Sequence, residues 1–387
     1  MPCLSPNQDS SLQDCCDLWQ YTLTGIRLQS FHATPPFCKS HFGLQVFSDS
    51  LNSFGAVPEA AEFLFRSGTM SAFQITRRVG LAFLFLLPPL SVSARVPKFS
   101  LPSETLAILD KIYSFDLDGA TQAARHMQQE QSDHPLGFLL EAEAMWWRTW
   151  CTSADFKFGM TDARRRPKLE SDRRYLELST KALSRAEAHI RQSESAEMQF
   201  YAGMAEASLA RMYGLRSENR NAARSGVRAR EHLLRAKTLD PDLADADFGL
   251  GLYNYYVDTL SAAAKILRFF MGIPGGSKQE GVRLLEHAIA QGVLTSNVAR
   301  FYLALNLHRY DQQYEKALSV LGPLAEKYPA NPLFQLACGD LYAKLGRKQQ
   351  ALACYRAASA LPVQNMECQA HVRDLVRASI ASLDLHP

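Results

Sequence analysis

Two glutamates and two tryptophans lie close together in one apolar segment and form the strongest candidate in this chain for catalysis. They are Glu141, Glu143, Trp146 and Trp147. Carboxylates are the groups that a hydrolase uses to transfer protons, and tryptophans can hold an apolar substrate. Adjacent tryptophans in a helix are more often divided between a core and its rim. We therefore keep an exported hydrolase on a helical-repeat scaffold as the alternative function.

Other segments that resemble catalytic or cofactor-binding motifs each lack an essential part. Gly249-Leu-Gly251 has no preceding strand and no third glycine, so it does not fit a dinucleotide loop. Residues 274–278 lack the Gly-Lys-Ser/Thr order that places a lysine on nucleotide phosphates. The histidines and cysteines show no zinc-ligand spacing, and no serine lies in a Gly-x-Ser-x-Gly turn. We expect no catalytic residues, no cofactor and no metal, and thus a protein that is not an enzyme.

The charge balance of the chain argues against nucleic acid as a partner. Among its 387 residues, Lys and Arg number 42 and Asp and Glu number 39, so no strong field recruits a polyanion. The one conspicuous basic run, 164–166 with further basic residues up to 174, is interleaved with Asp162, Glu170 and Asp172. This pattern is typical of a solvated loop and helix start, and the alternative is a site for phosphate or an acidic peptide.

An internal repeat determines how the chain is organised. Two segments near the carboxyl end are related by an offset of 34 residues, a period typical of helical solenoids. Ala317 and Leu321 reappear at this offset as Ala351 and Tyr355. Each pair follows a further helical pattern, over 298–309 and 332–345. A third copy of the second helix lies at 229–241.

Small, aromatic and proline residues recur at fixed places in these segments: Gly339, Tyr342, Ala351, Ala358, Pro329 and Pro362. The pattern resembles the tetratricopeptide repeat (TPR) family, and in particular its exported bacterial members. Glycine and alanine let two antiparallel helices approach closely, while tyrosines fill the space between them. The resemblance implies an all-α, right-handed superhelical solenoid of about six antiparallel helix pairs with a C-terminal capping helix. It also implies a protein partner.

Two insertions interrupt the rhythm of the helix pairs. The first, between Trp150 and Asp172, is polar, and the second, between Tyr255 and Lys278, is apolar. Insertions in a solenoid commonly lie on one face, often the binding face. Residues 256–276 are therefore a candidate for docking a partner or for peripheral contact with a membrane. The alternative is that they fold back over the solenoid.

The first 94 residues differ in character from the rest. Residues 70–94 hold an arginine pair, a short apolar run and a small-residue exit at Val92 and Ala94, which together are typical of a secretory signal peptide. No cysteine follows the run, so a lipobox is missing. We interpret 1–69 as a spurious or disordered extension and 95–387 as the TPR-like domain, exported to the periplasm or secreted. The alternative is a real disordered leader before a membrane-dipping segment.

Export would permit disulfides among the four cysteines of the predicted domain. Cys338 and Cys354 fall where small buried residues are usual, which favours core packing, while a bridge between Cys354 and Cys368 is the alternative. The oligomeric state is not predicted from the sequence.

The first helix of each pair in a solenoid lines the concave surface, where a peptide or helix can bind. The repeat register places one aromatic side chain, two amides and charges of both signs there. They can anchor a side chain and bond a peptide backbone. We therefore predict a protein-binding groove formed by Asp247, Asn254, Tyr302, Asn306, Arg309 and Asp340.

Overall fold

The structure is a computed structural model and describes residues 101–157 and 159–385. The regular secondary structure of these residues is helical. The only β contact among these residues is an isolated bridge between Asp155 and Gly159. The predicted all-α class is confirmed. The predicted extension 1–69 and signal peptide 70–94 lie outside the described residues. Within the described residues, no helix is long and apolar enough to cross a bilayer.

Fifteen helices follow one another along this region, and most pack beside the next one, while α3 packs on α5 and α8 on α10. They are α1 (Thr105–Tyr113), α2 (Leu117–Glu130), α3 (Leu136–Ser153), α4 (Thr161–Arg165), α5 (Glu170–Gln192), α6 (Ala196–Leu215), α7 (Asn219–Leu239), α8 (Ala246–Thr259), α9 (Ala262–Phe270), α10 (Lys278–Gln291), α11 (Ser296–Arg309), α12 (Tyr314–Lys327), α13 (Pro332–Lys344), α14 (Lys348–Ala360) and α15 (Met366–Leu385).

Polar caps set where several helices begin. The Ser195 side chain accepts a hydrogen bond from the N–H of Met198 at the start of α6. Asn331 accepts one from Leu333 at the start of α13, where Pro332 is the first helical residue. Proline is tolerated there because the first-turn N–H groups have no partner within the helix. These caps supply partners for N–H groups that the helices leave unbonded.

Within a pair, small residues bring the two helices together as the repeat predicted. A Cβ atom added at Gly339 would lie 2.5 Å from the ring of Tyr355, so only glycine lets α13 approach α14 this closely. Ala351 and Ala317 are fully buried at the corresponding helix crossings, and Leu321 is fully buried beside them. The helix pairs therefore have a TPR-like arrangement.

The carboxyl end of the solenoid packs back on its amino end. The capping helix α15 contacts α3 as well as α13 and α14. A disulfide joins Cys151 in α3 to Cys368 in α15, with Cα atoms 5.1 Å apart across 217 residues of sequence. The alternative of a Cys354–Cys368 bridge is wrong, because Cys368 lies beside the carboxyl end of α3 and is bonded to Cys151 there. Cys338 is buried as a free thiol, as predicted, and Cys354 is half-buried.

Hydrogen bonds and aromatic rings reinforce this end-to-end contact. Asn331 donates to the backbone oxygen of Tyr113 over 2.9 Å, and both residues are buried. The Trp147 ring of α3 packs against Phe301 of α11 and Phe334 of α13, with centroids 5.0 and 5.6 Å apart. Helices α11 and α13 are thus buried on nearly every side, which is why their sequences are apolar all round.

Candidate functional site

A cavity of about 260 Å³ lies on the concave side of the helix pairs and opens to solvent. Its walls come from α3, α6, α7, α8 and α11, with a contribution from the first insertion. Most lining side chains are apolar or aromatic, including Leu136, Leu140, Phe200, Met204, Leu233, Phe248, Leu252, Val298 and Leu305. This size is close to the lower limit of pockets that hold small ligands, about 300 to 1,000 Å³.

One wall of the cavity carries a connected polar cluster. Arg211 donates to Glu143 over 2.8 Å and to the hydroxyl of Tyr175 over 2.6 Å. Its guanidinium also lies 4.3 Å from the ring centroid of Trp146. The Trp146 indole N–H donates to the hydroxyl of Tyr302 over 3.0 Å, which connects α3 to α11. The polar groups of this cluster are therefore bonded to one another.

Two further arginines line the cavity without a carboxylate partner in the described part of the chain. The Arg230 guanidinium lies 5.5 Å from the ring centroid of Tyr253, and that of Arg309 lies 5.4 Å from the ring centroid of Tyr310. Both side chains are half-buried. A side chain at Gly159 would collide with Arg309, so the glycine of the first insertion leaves room for this guanidinium.

The tyrosines beside these arginines remain neutral over the physiological range. Burial raises the pKa of Tyr256 well above its usual value, although the positive charge of Arg309 partly opposes the effect. Burial likewise raises the pKa of Tyr253, and Arg230 partly opposes it. The arginines therefore carry the charge at this end of the cavity, and the tyrosines contribute neutral rings and hydroxyls.

The structure places two of the six predicted groove residues in the cavity wall, namely Tyr302 and Arg309. Asn306 lies on the same helix but is fully buried, and its side-chain oxygen accepts a hydrogen bond from Tyr256 over 3.0 Å. Asn306 is thus covered by neighbouring helices, and whether it contacts a partner stays a prediction.

Asp340 also departs from the predicted open groove. It is buried at 4% exposure, forms an ion pair with Lys157 at 3.0 Å and accepts a hydrogen bond from the hydroxyl of Tyr355 at 2.7 Å. The first insertion supplies Lys157 and covers this stretch of α13. Whether Asp340 contacts a partner stays a prediction.

The two predicted groove residues on α8 lie apart from the cavity. Asp247 is 2% exposed and pairs with Lys237 and His287. Asn254 is half-buried and donates to the backbone oxygen of Leu250. The six residues therefore do not share one surface, and only the α11 pair of Tyr302 and Arg309 lies where a ligand could reach the concave side.

The two glutamates among the four residues singled out for catalysis do not lie together as an acid–base pair. Glu141 and Glu143 are two residues apart on α3, so they point to different sides of the helix. Burial would raise the pKa of Glu141, but hydrogen bonds from Gln128, Arg125 and Arg174 outweigh it and hold that pKa below its usual value. Glu143 accepts from Arg211 and from the indole of Trp147. Each carboxylate is bound by cations and donors, and Glu143, which lines the cavity, is already bonded to Arg211.

Sequence reasoning missed Arg211 and Arg230, which define the charge of the cavity. Arg211 lies in a helix that the pattern predicted, but its partners Tyr175, Glu143 and Trp146 lie on other helices, 36 or more residues away along the chain. The available signal was an arginine in the carboxyl-terminal half of helix Ala196–Leu215, among apolar and small residues from Ala207 to Leu215. A charge at such a position needs a buried partner.

The second insertion exposes apolar side chains at the surface. Helix α9 presents Ile266 and Phe269, which are 60% and 76% exposed, and Met271 follows at 46%. The loop after it is held to α8, because the Tyr253 hydroxyl donates to the backbone oxygen of Pro274. This insertion is thus tied to the solenoid at its end while one face of α9 remains uncovered.

Comparison with known proteins adds little to this description. No family model matches the chain, and no curated protein matches it. Among solved structures, the crystal structure of yeast Tom70 aligns with 71% of this chain and 87% of its own chain, at 13% identity and a TM-score of 0.25. A likeness this weak carries no inference about function. The TPR-like character of the chain rests on its own helix packing.

Proposed function

We propose that this protein is a non-catalytic protein–protein interaction scaffold of the cell envelope, which binds a partner peptide or helix on its concave side. The observation that supports this most directly is the open, apolar cavity between α3, α6, α8 and α11. Stacked helix pairs use such concave surfaces to hold other proteins. Tyr302 and Arg309 supply an aromatic side chain and a charge at the wall of this cavity, and both types are common anchors in interfaces.

Of the two partner forms, a helix suits this surface better than an extended peptide. The polar atoms of the cavity wall bond mainly to one another, as Trp146 does to Tyr302. An extended backbone would bring N–H and C=O groups that need partners, whereas a helix satisfies its own. A helix lying across the mouth could insert only apolar side chains into the cavity.

A photo-crosslinking experiment tests this placement. A photoreactive amino acid at Leu252, in the cavity wall, is compared with one at Leu106, which is 49% exposed on α1. In envelope extract we expect a discrete crosslinked partner from position 252 and none of the same mass from 106. The double variant Tyr302→Ala, Arg309→Ala should weaken that product at least tenfold while retaining its circular dichroism. Equal products from both positions would place the partner elsewhere.

Export to the periplasm or secretion is the second part of the proposal. It rests on the signal-peptide pattern at 70–94, and a disulfide such as Cys151–Cys368 is what an oxidising compartment permits. Amino-terminal sequencing of the protein from its native cells should give a start near Arg95. An intact chain beginning at Met1 in the cytoplasm would overturn it.

The hydrolase alternative gains no support from the positions of Glu141 and Glu143. A screen with exported hydrolase substrates tests it directly, with Glu143→Gln as the control variant. Turnover by the wild type that is lost in the variant would establish the alternative and refute the scaffold.

A further inference from the structure

We propose that the concave cavity binds a single-chain amphiphile with an anionic head group, of the class of long-chain carboxylates. Its chain lies among the apolar walls and its head group lies at Arg230 and Arg309. This inference goes beyond the proposed function, because it assigns a small ligand to the interior of the cavity rather than a protein to its mouth.

The walls of the cavity match the chemistry of an alkyl chain. Side chains such as Leu140, Phe200, Leu233, Phe248 and Leu305 leave an alkyl chain in apolar contact on most sides. Each buried methylene contributes about 0.8 kcal/mol of transfer free energy. An alkyl chain carries no hydrogen-bonding groups, so it leaves none unsatisfied against these walls. The cavity therefore suits an aliphatic chain better than a polar one.

The volume of the cavity limits what can bind in it. At about 260 Å³ it is too small for a helix, whose diameter with side chains is about 10 Å or more. It is also near the lower limit for ligand pockets. One flexible chain fits such a space, while a two-chain lipid or a folded segment does not.

The charged side chains that line the cavity are mainly positive. The lining residues include Arg211, Arg230 and Arg309, and the carboxylate among them is Glu143. Glu143 is bonded to Arg211, so it does not neutralise Arg230 or Arg309. A ligand with a negative head group complements this excess, and guanidinium groups bind carboxylates in a bidentate geometry.

Arg230 and Arg309 flank one helix of the cavity wall, α8. Arg230 lies over Tyr253, and Arg309 lies over Tyr310, whose ring centroid is 6.3 Å from that of Tyr256, one turn further along α8. Both arginines therefore flank the same stretch of α8, and Arg309, the last residue of α11, follows the wall residues Val298 and Leu305 at one end of the apolar wall. Charge at one end and apolar surface along the rest is the pattern that recognises an amphiphile.

Isothermal titration calorimetry of the purified full-length chain, with short-chain probes below their micelle concentrations, tests the proposal. We expect dodecanoate to bind with a stoichiometry near one, and dodecanol and dodecylammonium to bind at least tenfold more weakly. From octanoate to dodecanoate, each added methylene should tighten binding roughly fourfold. Equal affinity for all three head groups, or no saturable heat with dodecanoate, would refute the proposal.

Variants locate the head group. Arg230→Gln and Arg309→Gln should each weaken dodecanoate binding roughly tenfold, as expected for loss of a charge-assisted hydrogen bond. The matched control is Arg347→Gln, since Arg347 pairs with Glu315 away from the cavity. Unchanged affinity in both cavity variants overturns the assignment. If a variant fails to fold by circular dichroism, the head-group series on the wild type decides.

These measurements need no protein partner, so they fail or succeed independently of the crosslinking experiment. Dodecanoate binding without a crosslinked partner supports the ligand site and counts against the scaffold. A crosslinked partner without dodecanoate binding supports the scaffold and refutes the ligand site.

Discussion

The two insertions that interrupt the helix pairs behave in opposite ways. The polar one, after α3, turns inward and buries Phe156 and Met160 at 6% and 7% exposure. The apolar one, around α9, turns outward and leaves Phe269 at 76% exposure. Composition alone would have predicted the reverse. The difference lies in what each insertion can bond to.

The inward insertion is held by specific partners on distant elements. Lys157 pairs with Asp340 and donates to Ser379, and Arg166 pairs with Glu367 of α15. The insertion around α9 is held mainly by nearby residues: Lys265 pairs with Asp258 of α8, and the Tyr253 hydroxyl donates to the backbone oxygen of Pro274. A polar segment is thus buried when charged partners compensate for desolvation, and an apolar one stays exposed when no surface is available to cover it.

The largest expected loss of stability comes from removing the Phe156 ring of the inward insertion. Phe156→Ala deletes a side chain that packs against Phe301 and His308, with ring centroids 6.1 and 5.1 Å apart. We expect a loss of about 3 to 5 kcal/mol in the free energy of unfolding, as for other buried phenylalanines. Urea denaturation measures it. A loss below about 1 kcal/mol would show that the insertion does not pack inward.

The disulfide beside the same insertion should have the next largest effect. Cys151→Ser removes the bond to Cys368 and frees a loop of 217 residues, so we expect a loss of about 2 to 5 kcal/mol. Cys354→Ser, at a free and half-buried thiol, is the control and should change stability by less than about 1 kcal/mol. The reverse order of the two effects would point to the wrong pairing.

Asp340, which the inward insertion covers, should make stability depend on pH. Burial raises its pKa to about 7 from 3.8, although the charge of Lys157 opposes the shift. The folded chain then binds a proton that the unfolded chain has lost between about pH 4 and 7. Stability therefore falls as pH rises through this window.

The control for this prediction is Asp340→Asn, which keeps an oxygen that can accept from Tyr355. The wild type should lose stability relative to this variant as pH rises from 4 to 7, by at most about 1.4 kcal/mol per pH unit. Thermal denaturation at several pH values gives the difference. A constant difference across the window would mean that Asp340 is ionised throughout.

The smallest effect on stability is expected at the outward insertion. Ile266→Asp with Phe269→Asp alters exposed side chains, so the free energy of unfolding should change by no more than about 0.5 kcal/mol per site. Cosedimentation with vesicles of mixed zwitterionic and anionic lipids measures the predicted membrane contact of 256–276. Binding by the wild type that the variant loses supports this contact, and wild type that stays in the supernatant contradicts it.

The sequence could predict the helices and their pairing because these depend on local patterns. The offset between Ala317 and Ala351, and the close approach at Gly339, follow from helix geometry and from side-chain size. It could not predict the Cys151–Cys368 bond, since connectivity among four cysteines is not contained in their spacing.

The burial of two predicted groove residues could not be predicted for a related reason. The register of an open solenoid puts Asn306 and Asp340 on a free concave surface, but contacts from α3, α15 and the first insertion cover that surface here. The all-round apolar sequence of α11, in which Phe301, Leu303 and Leu305 are all buried, was the available sign of this covering. Contacts between the two ends of the helix array depend on how strongly the whole array curves. A local sequence pattern does not contain this information.

The bond between α3 and α15 has a consequence for how this chain unfolds. In a linear array each repeat touches only its neighbours, so terminal repeats fray first and opening spreads inward. Here the last helix is fastened to the third, and Asn331 holds the backbone of Tyr113. Neither terminus of the array can fray alone, so backbone amides of α3 and α15 should exchange with solvent at similar, slow rates. Reduction of the disulfide should release α15 first.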